Sequence, residues 1–193
     1  MTLKIWQNGL PENLPVNNHQ TDKRLTGKAP ECREVLRWIG WACLLAGIDQ
    51  ITKGLIRETV LPGTRITVIA DVLFIYYVQN YKSFSWFVPD LPDWTKVIFL
   101  VLRMIIILSA FPVYKYYVKL DNRNNKPAFI ALVCLTAGIL GNLLDDLFAP
   151  FTTDFIQVFQ SPSGNLADLL SFIGVSFLII EMIRRFKKKS RSG

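Results

Sequence analysis

The chain has one histidine and three cysteines among 193 residues. That histidine, His19, lies in a polar N-terminal stretch, so a Ser-His-Asp or Cys-His site and a histidine-ligated zinc site are implausible. Cys32, Cys43 and Cys134 show no metal-ligand spacing, and a structural disulfide is not expected. No cofactor is suggested. A Ser-Lys arrangement around Lys82, Ser83 and Ser85 is disfavoured, because neighbouring positions do not face one another in regular structure. Internal repeats are also missing. So is an apolar run in the first ~35 residues, which carry Pro11, Pro15 and Pro30 and read as a polar cytoplasmic tail rather than a cleavable signal peptide. Finally, residues 145–164 contain no Lys or Arg although the whole chain has a net charge of +7.

What is present is apolar residues, 51% of the chain, gathered in long runs instead of short periodic segments. That is the pattern of membrane helices. The runs predict four spans: Trp38–Ile51, short and with a polar end, Trp94–Val113, Ala128–Leu144 and Leu166–Ile183. Basic residues precede the first span (Lys4, Lys23, Arg24, Lys28, Arg33, Arg37), separate the second from the third (Lys115, Lys119, Arg123, Lys126) and follow the fourth (Arg184, Arg185, Lys187, Lys188, Lys189, Arg191). The positive-inside rule then places both termini in the cytoplasm and the acidic 145–164 segment on the far side. The charge is thereby topological. No nucleic-acid role follows, since the cations flank spans and form no patch interleaved with aromatics.

Polar groups gather at the far-side ends of the last two spans. Asn142 and Asp145, three apart, share one helical face, as do Asn165 and Asp168. Asp154 lies in the intervening segment, read here as a loop able to reach Asp168. Ionisable groups beside hydrocarbon are costly and point to function. Two carboxylates close together in low dielectric do not both ionise freely, and the pair holds a shared proton. One member can then activate water and the other protonate a leaving group, the logic of an aspartic protease. Capping of the fourth span is the competing role for Asn165 and, less so, for Asp168. Between the first two spans, "RITVIADVLFIYYVQN" is rich in β-branched and aromatic residues and predicts strands.

Five stretches resemble signal peptidase II, the lipoprotein signal peptidase family. "AGILGNLLDDLF", "TTDFIQV" and "GNLADLLSFIGV" are similar to that family's GNxxDR, VDF and NxAD motifs. "DQITK", Asp49–Lys53, is similar to its DQxxK, and "NYKSFSWF", from Asn80, more loosely to its NxGxAFS. The likeness runs from about Trp38 to Arg185 in the family's order. It implies an all-α membrane protein of four transmembrane helices with a small extracytoplasmic β-rich cradle between helices 1 and 2. It also implies an aspartic endopeptidase of the bacterial inner membrane, which cuts diacylglyceryl-modified prolipoproteins before the lipidated cysteine. By the resemblance, Asp154 and Asp168 are catalytic. Asn142, Asn165 and Asp145 orient the pair and the substrate, Asn80 lines the substrate site, and Asp49 and Lys53 are structural or substrate-positioning. The division expected is a tail over 1–36, a peptidase domain over 37–185 and a basic tail over 186–193. Membrane lipids and prolipoproteins are the expected partners, and a monomer should suffice.

Two positions depart from the motifs: Asp146 replaces the arginine of GNxxDR, and Lys82 the glycine of NxGxAFS, which is also one residue shorter here. They motivate one alternative, a non-catalytic paralogue that binds lipidated peptides; the intramembrane carboxylates by themselves motivate another, a proton-coupled carrier. Arg103, near the middle of the second span, should face the bundle and pair, with Asp49 or a backbone carbonyl as candidates.

Overall fold

The computed structural model describes residues 28–81, 94–119 and 126–191. The elements run α1 (Lys28–Thr59), β1 (Arg65–Ile69), β2 (Leu73–Asn80), α2 (Trp94–Lys119), α3 (Lys126–Phe148), β3 (Thr152–Val158) and α4 (Leu166–Arg191). Each helix contains a stretch long and apolar enough to cross a membrane: Cys32–Thr59, Val97–Val118, Lys126–Phe148 and Leu166–Lys187. The four expected spans are thus present, and every one is longer than its apolar run.

The first differs most. Helix α1 begins at Lys28, inside the stretch assigned to the tail, and continues past Ile51 to Thr59. Pro30 does not stop it, because a proline in the first turn gives up an N–H that has no intrahelical partner there. At the other end, Asp49, Gln50 and Lys53 interrupt the apolar run without interrupting the helix. The sequence pattern loses the span where it turns polar. The protein keeps it, because those polar groups are satisfied by α3 and α4.

The compact unit that carries these contacts extends from Val35. Its interior is apolar at one level and charged at another. Ala42, Cys134, Ala137 and Leu170 form one buried cluster; Trp38, Leu132 and Val133 form a second, against which Phe111, Tyr114 and Phe129 pack. The Trp38 indole N–H donates to the Thr136 hydroxyl at 3.1 Å, so that its polar tip is not stranded. Asp49, Lys53 and Asp145 are buried, whereas Leu36, Ile39, Val97, Ile105, Leu108, Phe172 and Ile179 are exposed. Polar inside and apolar outside is what a lipid solvent requires.

Helices α3 and α4 approach closely along a stripe of small residues. A Cβ on Gly138 would meet the Ser171 hydroxyl and the Ala167 carbonyl oxygen, and come within 2.9 Å of the Ser171 nitrogen. On Gly141 it would lie 2.7 Å from Asp49 Oδ2 and 3.0 Å from the Ala167 Cβ. Glycine at these two positions lets three helices converge on one buried carboxylate.

The strands form a three-stranded antiparallel sheet in the order β1-β2-β3. The expected strand-rich region between the first two spans is the β1–β2 hairpin, closed by Asp71 at φ 59°. The third strand was not foreseen: "TTDFIQV" is a strand, not a loop. Its β-branched residues suit a pleated, half-buried surface, and in the β2–β3 ladder Val78 opposes Asp154 and Asn80 opposes Thr152. After β3 the chain turns sharply through Phe159 (φ 56°) and returns, with Gly164 bridging Ile156. The Gly164 carbonyl accepts from Phe155 N (2.7 Å) and Ile156 N (2.8 Å). The return delivers the first turn of α4 beside Asp154.

Candidate active site

Two carboxylates meet where the sheet joins α4. Asp154 is nearly fully buried on β3, while Asp168, in the first turn of α4, is exposed. Asp154 Oδ1 accepts from Asn165 Nδ2 at 2.8 Å, and its Oδ2 from Asn80 Nδ2 at 3.1 Å. Asn80 reaches it because residues 78 and 80 leave the same face of β2, directly beside the face on which 152 and 154 stand. Asp168 Oδ1 accepts from Asn142 Nδ2 at 2.9 Å, and its Oδ2 from the backbone N–H of Asn165 at 3.1 Å.

Asn165 serves both roles weighed from sequence. Its Oδ1 accepts the Asp168 N–H at 3.0 Å, an N-cap bond, and Asp168 reaches back to the Asn165 N–H as in a capping box. Its Nδ2 is left to hold Asp154. Capping and carboxylate placement are the same geometry. One residue touches both acids.

Burial raises the Asp154 carboxyl from the ordinary 3.8 to about 7, helped by the negative charge of Asp168. The Asn80 and Asn165 hydrogen bonds and the charge of Lys53 act against that rise and do not cancel it. An acid that keeps its proton near neutral pH therefore stands beside an exposed carboxylate, and between them they can deliver and receive protons.

Behind this pair lies a buried ionic cluster. Lys53 Nζ is 2.7 Å from Asp49 Oδ2 and 2.7 Å from Asp145 Oδ2, with all three side chains almost wholly out of solvent. Asp49 Oδ1 accepts from the Ala167 N–H at 2.8 Å and so caps α4 from α1. Gln50, which the sequence reading passed over although it lies inside DQITK, donates to the Gly141 carbonyl at 2.8 Å. Lys53 also donates to Asn142 Oδ1 at 3.2 Å. That bond turns the amide so that its Nδ2 faces Asp168. Lys53, Asn142 and Asp168 form one chain of contacts.

The structure brings together Asn80, Asp154, Asn165, Asp168 and Asn142 in one hydrogen-bonded group. Asp49, Lys53 and Asp145 stand one layer back. Asp145, expected to orient the pair, is turned toward Lys53 and also accepts from Gln50 Nε2 at 3.3 Å; it is linked to the pair through Lys53 and Asn142. Arg103 pairs with Asp146 and donates to the Asn142 carbonyl at 3.3 Å. Asp49 is not its partner; the backbone-carbonyl candidate holds. Lys82, Ser83 and Ser85 lie outside the described residues. Among the described residues no group of three His, Cys, Asp or Glu side chains is placed to hold a metal ion.

Four apolar helices enclosing buried charges, with two carboxylates joined by one asparagine at the helix ends, define a multi-pass membrane protein of the aspartic-hydrolase type. A family model described as signal peptidase (SPase) II matches residues 41–184, most of the chain, and the protein belongs to that family. It is similar to a lipoprotein signal peptidase of Alteromonas mediterranea, 28% identical over 159 residues that cover 80% of this chain and 85% of the relative. It is also similar to two solved structures, each described as a bacterial membrane enzyme. One is 27% identical with a TM-score of 0.67, over 79% of this chain and 91% of the other. The second is 27% identical with a TM-score of 0.64, over 76% and 92%.

Proposed function

We infer that this chain is a membrane aspartic endopeptidase that removes signal peptides from diacylglyceryl-modified prolipoproteins, cutting before the lipidated cysteine. Family membership supports the reaction class. The observation that carries the assignment of residues is the double engagement of Asn165, whose side-chain amide holds Asp154 while its backbone N–H holds Asp168. In this reading Asp168, open to solvent, takes a proton from a water whose oxygen attacks the scissile carbonyl carbon. Asp154, kept protonated by burial, gives its proton to the carbonyl oxygen. The tetrahedral intermediate then collapses: the proton on Asp168 passes to the departing nitrogen, the C–N bond breaks, and Asp154 takes back a proton from one of the two hydroxyls, which leaves a carboxylic acid and returns both carboxyls to their starting states. Asn142 and Asn80 keep the two carboxylates in register. No group from outside the chain is needed to balance these steps.

The basic flanks support a reading with both termini in the cytoplasm and the carboxylates at the opposite face of a bacterial inner membrane. There a lipidated substrate presents its cysteine at the level of the headgroups. One chain carries both acids, so a monomer suffices, with membrane lipids and prolipoproteins as its partners.

The test is a gel-shift assay of purified protein in lipid with a diacylglyceryl-modified prolipoprotein. Asp154→Asn and Asp168→Asn should each lower the rate at least ~100-fold while the protein still folds. Near-normal turnover by either variant rejects the assignment of the pair. Absence of cleavage by the wild type, with the substrate cut by another family member, favours the lipopeptide-binding alternative.

A further inference from the structure

Arg103 is an expensive residue to keep. An arginine within a membrane helix costs at least ~2.5–3.5 kcal/mol on insertion scales. Helix α2 has no need of it as a span: no residue of its most apolar stretch is fully buried by protein, so the helix is chiefly lipid-facing. At its other end, α2 is already held by Phe111 and Tyr114 packing around Trp38 and Phe129. What the guanidinium touches explains its retention. Its NH1 pairs with Asp146 and donates to the backbone carbonyl of Asn142, both in the last two turns of α3. The Arg103 and Asp146 side chains are only 17% and 15% exposed. Asp168 and Asp145 are near enough for their charges to act on it.

Asn142 is the residue whose amide holds Asp168. Lys53 fixes that amide from the α1 side, through Oδ1, and Arg103 fixes the same residue's backbone from the α2 side. Asp146 stands one helical turn beyond Asn142 and anchors the guanidinium there. The two oddities of the sequence, a lone arginine in one span and an aspartate in place of arginine at 146, are therefore two halves of one contact. Beside Lys53, α2 supplies a cation at this end of the bundle where the family motif would supply one from α3.

We propose that Arg103 is a positioning residue for the reaction: through its bond to the Asn142 carbonyl it holds the last turns of α3 where the Asn142 amide meets Asp168, and Asp146 serves to anchor it. The rate consequence rests on the peptidase reading above; the structural consequence does not.

The experiment compares the full-length wild type, Arg103→Gln and Asp146→Asn in lipid, with two readouts. In the cleavage assay Arg103→Gln should lower kcat about tenfold or more with KM changed less than about twofold, since a misplaced reacting group loses rate and not ground-state binding. Asp146→Asn, which loosens the anchor but keeps Arg103 and its donation to Asn142, should lose rate in the same direction but clearly less than Arg103→Gln. The second readout is the 13C carboxyl resonance of Asp168 in aspartate-labelled protein, assigned by its loss in Asp168→Asn. It should move in Arg103→Gln and move less in Asp146→Asn, whether or not substrate is cut. If the wild type fails to cleave, the peptidase reading falls and this resonance alone decides the role of Arg103. An unmoved Asp168 resonance in Arg103→Gln, or equal rate losses in both variants that follow their losses of thermal stability, makes the ion pair a helix clamp and overturns the proposal.

Discussion

At the scale of single residues, Asp154 converts burial into chemistry. Its carboxyl titrates near 7 in the folded chain against 3.8 ordinarily, so the folded state binds this proton more tightly than the unfolded state. Its contribution to stability is then fully present below about pH 4 and is lost as pH rises through about 7. Asp154→Asn cannot ionise, so thermal unfolding in detergent should show the variant gaining on wild type between pH 4 and 8, by up to roughly 4 kcal/mol. A constant difference across that range would mean the carboxyl does not titrate as described. The same titration bears on activity: if Asp154 is the proton donor, kcat/KM falls above about pH 7. Lys53 is the other residue on which much rests. Lys53→Met leaves Asp49 and Asp145 buried without their shared cation, and breaking such a group costs ~3–5 kcal/mol. A thermal melt of Lys53→Met in lipid within about a degree of wild type would show that the cluster is hydrated.

At the scale of elements, the site depends on α3 and α4 lying almost in backbone contact. Any side chain at Gly138 presses on the Ala167 carbonyl and the Ser171 nitrogen, which are backbone atoms unable to rotate away. Gly138→Ala should therefore lower stability by ~1–3 kcal/mol despite the better helix propensity of alanine. Gly47→Ala, on α1 with nothing within 4 Å of the new Cβ, is the matched control and should be neutral or slightly stabilising. Equal melting temperatures for the two would deny the close approach. The same contact explains why the first turn of α4 is so fully tied. Ala167 N–H goes to Asp49 and Asp168 N–H to Asn165, which satisfies donors that a helix start otherwise leaves open.

At the scale of the whole molecule, the distribution of basic residues predicts an orientation that thiol labelling can check. In a cysteine-free background, Ser161→Cys should react with a membrane-impermeant maleimide added to intact spheroplasts. Ser192→Cys should react only after permeabilisation. The reverse pattern would place the carboxylates on the cytoplasmic side and remove the peptidase from its substrate. All three native cysteines are free thiols, so replacing them breaks no covalent link.

How much of this was legible in the sequence differs from element to element for physical reasons. Hydrophobic length and residue pattern are local quantities, so the presence of four spans, the strands before α2 and the acids at the ends of the last two spans could be read directly. The sequence also determined the residue types of the site, since "DQITK", Asn80, Asn142, Asp154, Asn165 and Asp168 all stand in motifs. Local hydropathy could not carry α1 through Asp49, Gln50 and Lys53, because what makes them tolerable in a span is supplied by other helices. Nor could it show that "TTDFIQV" is a strand held by β2, or that Asn165 caps and bridges at once. The pairing of Arg103 with Asp146 joins residues 43 apart, and from sequence alone each is only an unexplained charge. Those four outcomes belong to the tertiary structure, because a buried charge or an extended segment becomes stable only when a distant partner arrives to satisfy it.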